Sequence, residues 1–284
     1  MVERDYATPF SVLRAASMLS HHSRLAKFNK AIQALVNEDS YVVDIGTGSG
    51  VLAFMAAKAG ARQVTGIDIN GRSVEYARRA ARENQLHDVV DFRNLHFTDF
   101  SPDTPADIVI CEMLSAIMLI EQQIPASRHA AQKILAPNGV ILPQSVTAYV
   151  VPVECGSVWE RFEVEGILFP KLPQTVDRNA ARDLSDLAVL AEFSLSSKDC
   201  PTEVDKTFEF TTIDAGTVHG LVGLFEAHLY NDIMLRMEDG WRELFIPFER
   251  PIEVHRDDLL RIRVRYIPGL YDSLSLENLE DSIS

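Results

Sequence analysis

Two glutamates, Glu112 and Glu121, bracket an apolar stretch: Glu112-Met113-Leu114-Ser115-Ala116-Ile117-Met118-Leu119-Ile120-Glu121. Two carboxylates at the ends of a short apolar hairpin can converge on one cation. A planar guanidinium carries five N–H donors and can be gripped by a carboxylate on each of two edges. Such a grip orients one terminal nitrogen and draws the positive charge toward the other. The lone pair of the first is then less delocalised and better able to attack an electrophile. Glu121 also has a structural reading, as a carboxylate near a helix N-terminus ahead of Gln122 and Pro125. Spacing alone leaves both readings open.

A second chemical signal lies upstream. Val42-Val43-Asp44-Ile45-Gly46-Thr47-Gly48-Ser49-Gly50 reads as a buried strand entering a glycine-rich turn that opens a helix. Glycines let the backbone approach a ligand closely. The spacing is GxGxG with Val51 following, so the dinucleotide fingerprint fails, and no Lys-Ser/Thr pair supports a P-loop. Asp44 sits where a pyrophosphate would be repelled and an ammonium attracted. Asp68 ends the next strand, where a carboxylate can accept both hydroxyls of a ribose. Acidic residues at two strand ends with glycines between them form the pattern of class I S-adenosylmethionine methyltransferases.

The elements that must position these groups follow from periodicity. Residues 8–37 pattern as two amphipathic helices. Strands are expected at Tyr41–Ile45, Gln63–Asp68, Val89–Arg93, Ala106–Glu112 and Val140–Leu142. Helices are expected at Val51–Ala59, Arg72–Glu83 and Ile124–Leu135. This alternation predicts a parallel sheet of βαβ units. Beyond Pro143 come alternating or β-branched runs, Val146–Val153, Val189–Leu195, Thr207–Thr212, Val218–Tyr230, Ile233–Met237, Glu243–Pro247 and Leu259–Tyr266. They predict an antiparallel barrel or sandwich. Residues from Trp159 to Asp186 carry no clear pattern, and the polar tail from Asp272 reads as frayed. The expected division is 1–39, helices over the cofactor site; 40–143, a Rossmann-like domain; and 144–284, a β-barrel-like substrate domain.

Charge is distributed unevenly along the 284 residues. Residues 1–100 carry 12 basic and 11 acidic side chains, whereas residues 101–284 carry 15 and 30, so the net of −14 belongs to the second part. That argues against a polyanionic partner and favours a cationic one. No run of 18 residues is apolar enough to cross a membrane, and the charged N-terminus lacks the core of a signal peptide, so a cytoplasmic location is expected. Cys111, Cys155 and Cys200 form no CxxC pair, and no histidines have metal-ligand spacing, so no metal is expected.

These motifs together resemble the protein arginine methyltransferases, over roughly residues 6–267. Val43–Leu52 and Ala56–Ala61 are similar to that family's cofactor motif and following helix. Glu112 to Glu121 matches the spacing of its double-Glu loop. Leu135–Pro143 is similar to the join to its barrel, Val218–Phe225 to a barrel strand, and Trp241 to the Trp of its Thr-His-Trp loop. The resemblance implies S-adenosyl-L-methionine as cofactor, held by Met18, Arg24, Asp44, Gly46, Gly48, Gly50, Asp68, Phe97, Thr98 and Glu112. Arg24 would bind the cofactor's carboxylate. Glu112 and Glu121 would be catalytic, with a cationic protein, peptide or small molecule as acceptor and a homodimer as a further expectation.

The departures from the family pattern are specific. The loop reads Cys111-Glu112-Met113-Leu114-Ser115-Ala116 where the family has Ser-Glu-Trp-Met-Gly-Tyr, which thins the aromatic wall for the substrate. Gly240 stands where the family has the His beside the Trp. Phe97 stands at the acidic position that binds the adenine amino group, and stacking on adenine is the replacement it offers. The 159–184 segment is shorter than the family's helical dimerisation arm with its flanks. An RNA methyltransferase or a non-catalytic binding module with the same fold are the competing readings.

Overall fold

The computed structural model describes residues 11–279; the expected domain segments 1–10 and 280–284 lie outside the described residues. Two helices come first, α1 (Val12–Ser17) and α2 (His22–Leu35), separated by a short turn at Met18–Ser20. Helix α2 buries Arg24, Phe28, Ala31 and Ile32, one face at the i, i+4, i+7, i+8 spacing, with a charged residue at its head. That buried arginine marks the point where the helix stops serving the core and enters the site.

Next come β1 (Tyr41–Ile45), α3 (Val51–Lys58), β2 (Gln63–Asp68), α4 (Gly71–Glu83), β3 (Val90–Asn94), β4 (Ala106–Cys111), α5 (Gln123–Lys133) and β5 (Leu135–Leu142). The five strands form one parallel sheet in the order β3-β2-β1-β4-β5. All five residues of β1 are buried, as expected for a central strand covered on both faces. The strand order reverses between β1 and β4, and a ligand crevice forms at the carboxyl ends of such a pair. Gly46 follows β1 and Glu112 follows β4, so both motifs flank that crevice. The last helix ends two residues earlier than its periodicity suggested, because Leu135 already pairs with Ala106 as the first residue of β5.

The remainder is antiparallel. Strand β6 (Ser145–Glu154) leads through the single-turn α6 (Gly156–Trp159) to a small hairpin, β7 (Glu163–Val164) with β8 (Ile167–Leu168). Then follow β9 (Gln174–Val176), β10 (Arg182–Asp183), β11 (Ala188–Ser194), β12 (Val204–Thr211), β13 (Gly216–Tyr230), β14 (Ile233–Leu235), β15 (Glu243–Val254), β16 (Leu259–Ile267) and β17 (Leu270–Asn278). A seven-stranded sheet runs β10-β6-β13-β15-β9, with β11 on β6 and β14 on β13, and a three-stranded sheet runs β12-β16-β17. The chain is therefore an α/β protein with a Rossmann-like domain followed by an antiparallel barrel-like domain.

Two parts of the barrel correct the sequence reading. The segment 159–186 contains the β7–β8 hairpin and two short edge strands. The tail from Asp272 is strand β17, paired with β16 from Ile262↔Asn278 to Ile267↔Leu270. Its leucines alternate with Ser, Asp and Glu and are only half-buried, which gave it the look of a frayed end. The main apolar cluster runs from Phe28 and Ile32 through β1 and β4 to Phe225, Ile246 and Tyr266 and is shared by the two domains, while a smaller one around Val151, Val222 and Phe245 lies within the barrel.

Candidate active site

The crevice is a cavity of about 610 Å³, lined by residues of both domains and of the N-terminal helices. That volume suits a nucleoside-sized ligand. On the β1 side are Asp44, Gly46, Thr47, Gly48 and Asp68; on the helical side Met18 and Arg24; on the far side Phe97; and on the β4 side Glu112, Met113 and Glu121. Of the residues expected from sequence, Gly50 and Thr98 are not among the lining. Gly50, at φ +82, is the N-cap of α3, and a Cβ there would come 2.8 Å from Phe92. Thr98 is exposed and hydrogen bonds to His96.

The turn after β1 is shaped by Gly46, whose φ of +71 a side chain would strain. A Cβ at 46 would also press on Met113 Sδ at 3.1 Å, so the bare glycine lets the double-Glu loop approach the turn. Asp68 accepts from the backbone N–H groups of Gly48 at 2.9 Å and Asn70 at 2.7 Å. Its carboxylate keeps lone pairs for further donors. Burial raises its pKa, and those two N–H groups oppose the rise. Phe97 is buried with its ring 4.1 Å from His96, forming an aromatic end to the cavity.

The segment Glu112–Glu121 is held from both sides. Within its own domain, Gln123, fully buried, accepts from Met113 N–H at 2.8 Å. Ser115 Oγ accepts from Glu121 N–H at 3.2 Å. From the barrel, Trp241 Nε1 donates to the Leu114 carbonyl at 2.9 Å, Tyr266 Oη to the Ile117 carbonyl at 2.6 Å, and Gly269 N–H to the Met118 carbonyl at 3.0 Å. These clamps hold a tight backbone. Ile117 and Met118 adopt φ +49 and +57, a conformation that a β-branched residue takes only when its surroundings impose it. Ile117 is seated against β13 at Gly223, where a Cβ would lie 2.6 Å from its Cγ2.

Burial governs the electrostatics of the cavity. Asp44 is pushed up to about 7, by burial first; its bond from Thr47 Oγ1 at 2.6 Å opposes this, and the charges of Asp68 and Glu112 reinforce it. Glu121 is pushed up to about 8, by burial and then by the charge of Glu112. Glu112 is raised by burial and pulled back by Arg24, whose Nη1 lies 3.2 Å from Glu112 Oε2. Carboxyls whose charge is disfavoured in this way are stabilised by an incoming cation. Cys111 is driven far up by burial, so its thiol stays protonated at neutral pH.

Arg24 occupies a more complex position than sequence suggested. Besides Glu112, its Nη2 donates to the Gly240 carbonyl at 3.0 Å and meets His21 Nδ1 at 3.1 Å. The guanidinium carbon lies 3.5 Å from the centre of the Trp241 ring. Its Nε is buried without a hydrogen-bond partner. An orphaned buried donor beside a cavity fits an incoming carboxylate such as that of S-adenosylmethionine. Sequence reasoning missed several lining residues, namely Gly269, Leu270, Tyr271 and Asp272 at the β16–β17 turn. No local signal marks them; they reach the cavity only because the barrel folds back. Among the described residues no group of His, Cys, Asp or Glu side chains is arranged to hold a metal, and no helix is long and apolar enough to cross a membrane.

Comparison with known proteins agrees with this architecture. Residues 22–146 match the family model of the ribosomal protein L11 methyltransferase (PrmA), and residues 145–267 match that of the PRMT5 oligomerisation domain. An arginine N(omega)-methyltransferase of Streptomyces achromogenes subsp. streptozoticus is 26% identical over 269 residues, covering 87% of this chain and 74% of its own length. A probable protein arginine N-methyltransferase 6 of Arabidopsis thaliana is 31% identical over 139 residues, covering 48% of this chain and 32% of its own. In fold, the chain is similar to the Trypanosoma brucei PRMT1 enzyme-prozyme heterotetrameric complex with AdoHcy. The TM-score is 0.76 at 20% identity, with 93% of each chain covered. The fold and site define a class I methyltransferase, a class whose methyl donor is S-adenosylmethionine. Within that class, this chain is a divergent methyltransferase that resembles the protein arginine methyltransferases.

Proposed function

We propose that the protein transfers a methyl group from S-adenosylmethionine to a guanidinium or amine nitrogen held between Glu112 and Glu121. The observation that carries this reading is the placement of both glutamates, half-buried, in the wall of one cavity with Asp68 and the glycine turn. S-adenosylmethionine, when bound, supplies an electrophilic sulfonium methyl that such a nitrogen takes by in-line displacement. Asp68 would accept the ribose hydroxyls, Arg24 Nε would donate to the carboxylate, and the Asp44 carboxyl would favour the ammonium. Glu112 and Glu121 orient the acceptor and concentrate its positive charge away from the reacting nitrogen.

The acidic lining of the cavity favours a cationic acceptor. The Streptomyces relative is named for arginine and the plant relatives for protein arginine. Both names specify the same guanidinium. The β7–β8 region, with exposed Val164, Ile167, Leu168 and Phe169, supports self-association of two copies, in keeping with the oligomerisation-domain match.

The test is methylation of arginine and of an arginine-containing peptide by wild type, Glu112→Gln and Glu121→Gln, read by mass spectrometry. Wild type is expected to methylate the guanidino group. Each variant is expected to lose turnover by about 100-fold or more while binding S-adenosylhomocysteine within a few-fold. Equal turnover in wild type and Glu112→Gln, or methylation of RNA in place of the guanidine, overturns the reading.

A further inference from the structure

The loop beside Trp241 contains a glycine with an unusual neighbour. Gly240 has φ +120, and a Cβ built there would overlap Nδ1 of His21 and lie 3.0 Å from its Cγ and Cε1. The space a side chain at 240 would fill is thus already taken by an imidazole. That imidazole comes from the head of α2, more than two hundred residues earlier in the chain. The two segments are fastened to each other independently of it. Lys27 Nζ lies 2.6 Å from Asp239 Oδ2, and Ser23 Oγ donates to Asp239 Oδ1. The sequence resemblance leaves Gly240 where a histidine is expected, and the histidine is present, carried by another element.

Its contacts say what it does there. Arg24 has only donors, so His21 Nδ1 must accept from Arg24 Nη2, which places the ring proton on Nε2. Burial, and then the charge of Arg24, hold the imidazole below its ordinary range, in keeping with a neutral acceptor. Arg24 is thereby fixed at three points. Nη2 is held by His21 and the Gly240 carbonyl, the plane lies on Trp241, and Nη1 points at Glu112. The orphaned Nε is left aimed for a further partner.

We infer that His21 is a positioning residue of the methyl-transfer site, filling from helix α2 the place vacated at Gly240 and setting Arg24 against Glu112. The inference rests on the guanidinium-methylation reading for its catalytic half only. The placement of His21 stands or falls separately. Losing the Nδ1 acceptor frees Arg24 to rotate on Trp241, and Glu112 loses a defined partner. A displaced carboxylate of this kind lowers turnover more than it lowers cofactor affinity.

Two arms test it. The first is a thermal-unfolding cycle of wild type, His21→Ala, Gly240→Ala and the double variant. The strain of a Cβ at φ +120 is common to both backgrounds and cancels. Gly240→Ala is expected to lower Tm by at least ~2 °C more in the wild-type background than in the His21→Ala background. Additive shifts overturn the placement. The second arm measures turnover with an arginine acceptor and S-adenosylhomocysteine affinity for His21→Ala and His21→Asn. We expect His21→Ala to lose about tenfold or more in kcat and, because Arg24 also faces the cofactor's carboxylate, to weaken S-adenosylhomocysteine binding by a smaller factor; His21→Asn, which keeps an acceptor, should recover most of both losses. Unchanged kcat in His21→Ala, or no recovery in a folded His21→Asn, overturns the positioning role. If wild type methylates no guanidine or amine, the functional reading fails and the positioning role falls with it, while the unfolding cycle still decides the placement.

Discussion

Glu121 offers a prediction with a definite sign and size. Its carboxyl is pushed up to about 8, by burial first and by the charge of Glu112 second, with Arg14 and Arg24 opposing. A group titrating there is ionised in roughly one molecule in ten at pH 7 and roughly nine in ten at pH 9. A guanidinium binds the ionised form, so binding depresses the pKa and expels the proton. Affinity for an arginine ligand should therefore rise about tenfold between pH 7 and pH 9 and level off above. Near pH 7 close to one proton should be released per guanidinium bound. Titration calorimetry in two buffers of different ionisation enthalpy reads both quantities, with the enzyme loaded with S-adenosylhomocysteine. Glu121→Gln should bind weakly and lose that pH slope. An affinity flat or falling from pH 7 to 9, or a slope that survives in Glu121→Gln, refutes the assignment of Glu121 as the cation's partner.

Three further outcomes are expected. Trp241→Phe removes the Nε1 bond to the Leu114 carbonyl and weakens the platform under Arg24. It should cost about 1–3 kcal/mol in urea unfolding, and retention of full stability would show that the clamp contributes nothing. Gly223→Ala places a Cβ 2.6 Å from Ile117 Cγ2. That loop has little room to give, so the variant should lose about 1–3 kcal/mol and lower turnover, and wild-type Tm and kcat together would contradict the seating described here. Replacing Leu168 and Phe169 by Asp on the exposed hairpin should convert a dimer to a monomer in sedimentation velocity. A wild type that already sediments as a monomer, or a double variant that stays dimeric, would remove the hairpin from the interface.

Much of the cavity wall around the glycine turn was legible in sequence because its signals are local. A buried strand, a glycine turn and an acidic residue at the next strand end all lie between Tyr41 and Asp68, and the structure puts them on one wall. The double-Glu loop was legible as a spacing, and its two glutamates do share the cavity. What holds the loop was hidden, because every clamp is long-range. Trp241, Tyr266 and Gly269 reach back to Leu114, Ile117 and Met118, and nothing in their neighbouring residues announces those partners. Strand β17 was misread because its alternation is diluted by Ser273, Ser275 and Glu277 on a half-buried edge. With it went Tyr271 and Asp272, which line the cavity. His21 lies in the 8–37 stretch patterned as amphipathic helix with nothing local to mark it, and only the empty side-chain position at Gly240 gives it a role.

The most direct measurement is a crystal structure of the wild-type enzyme with S-adenosylhomocysteine and arginine. The expected density shows the guanidinium between the carboxylates of Glu112 and Glu121, with the ribose on Asp68. A guanidinium bound elsewhere, or a cofactor bound with Glu121 turned away from an ordered acceptor, contradicts the central claim.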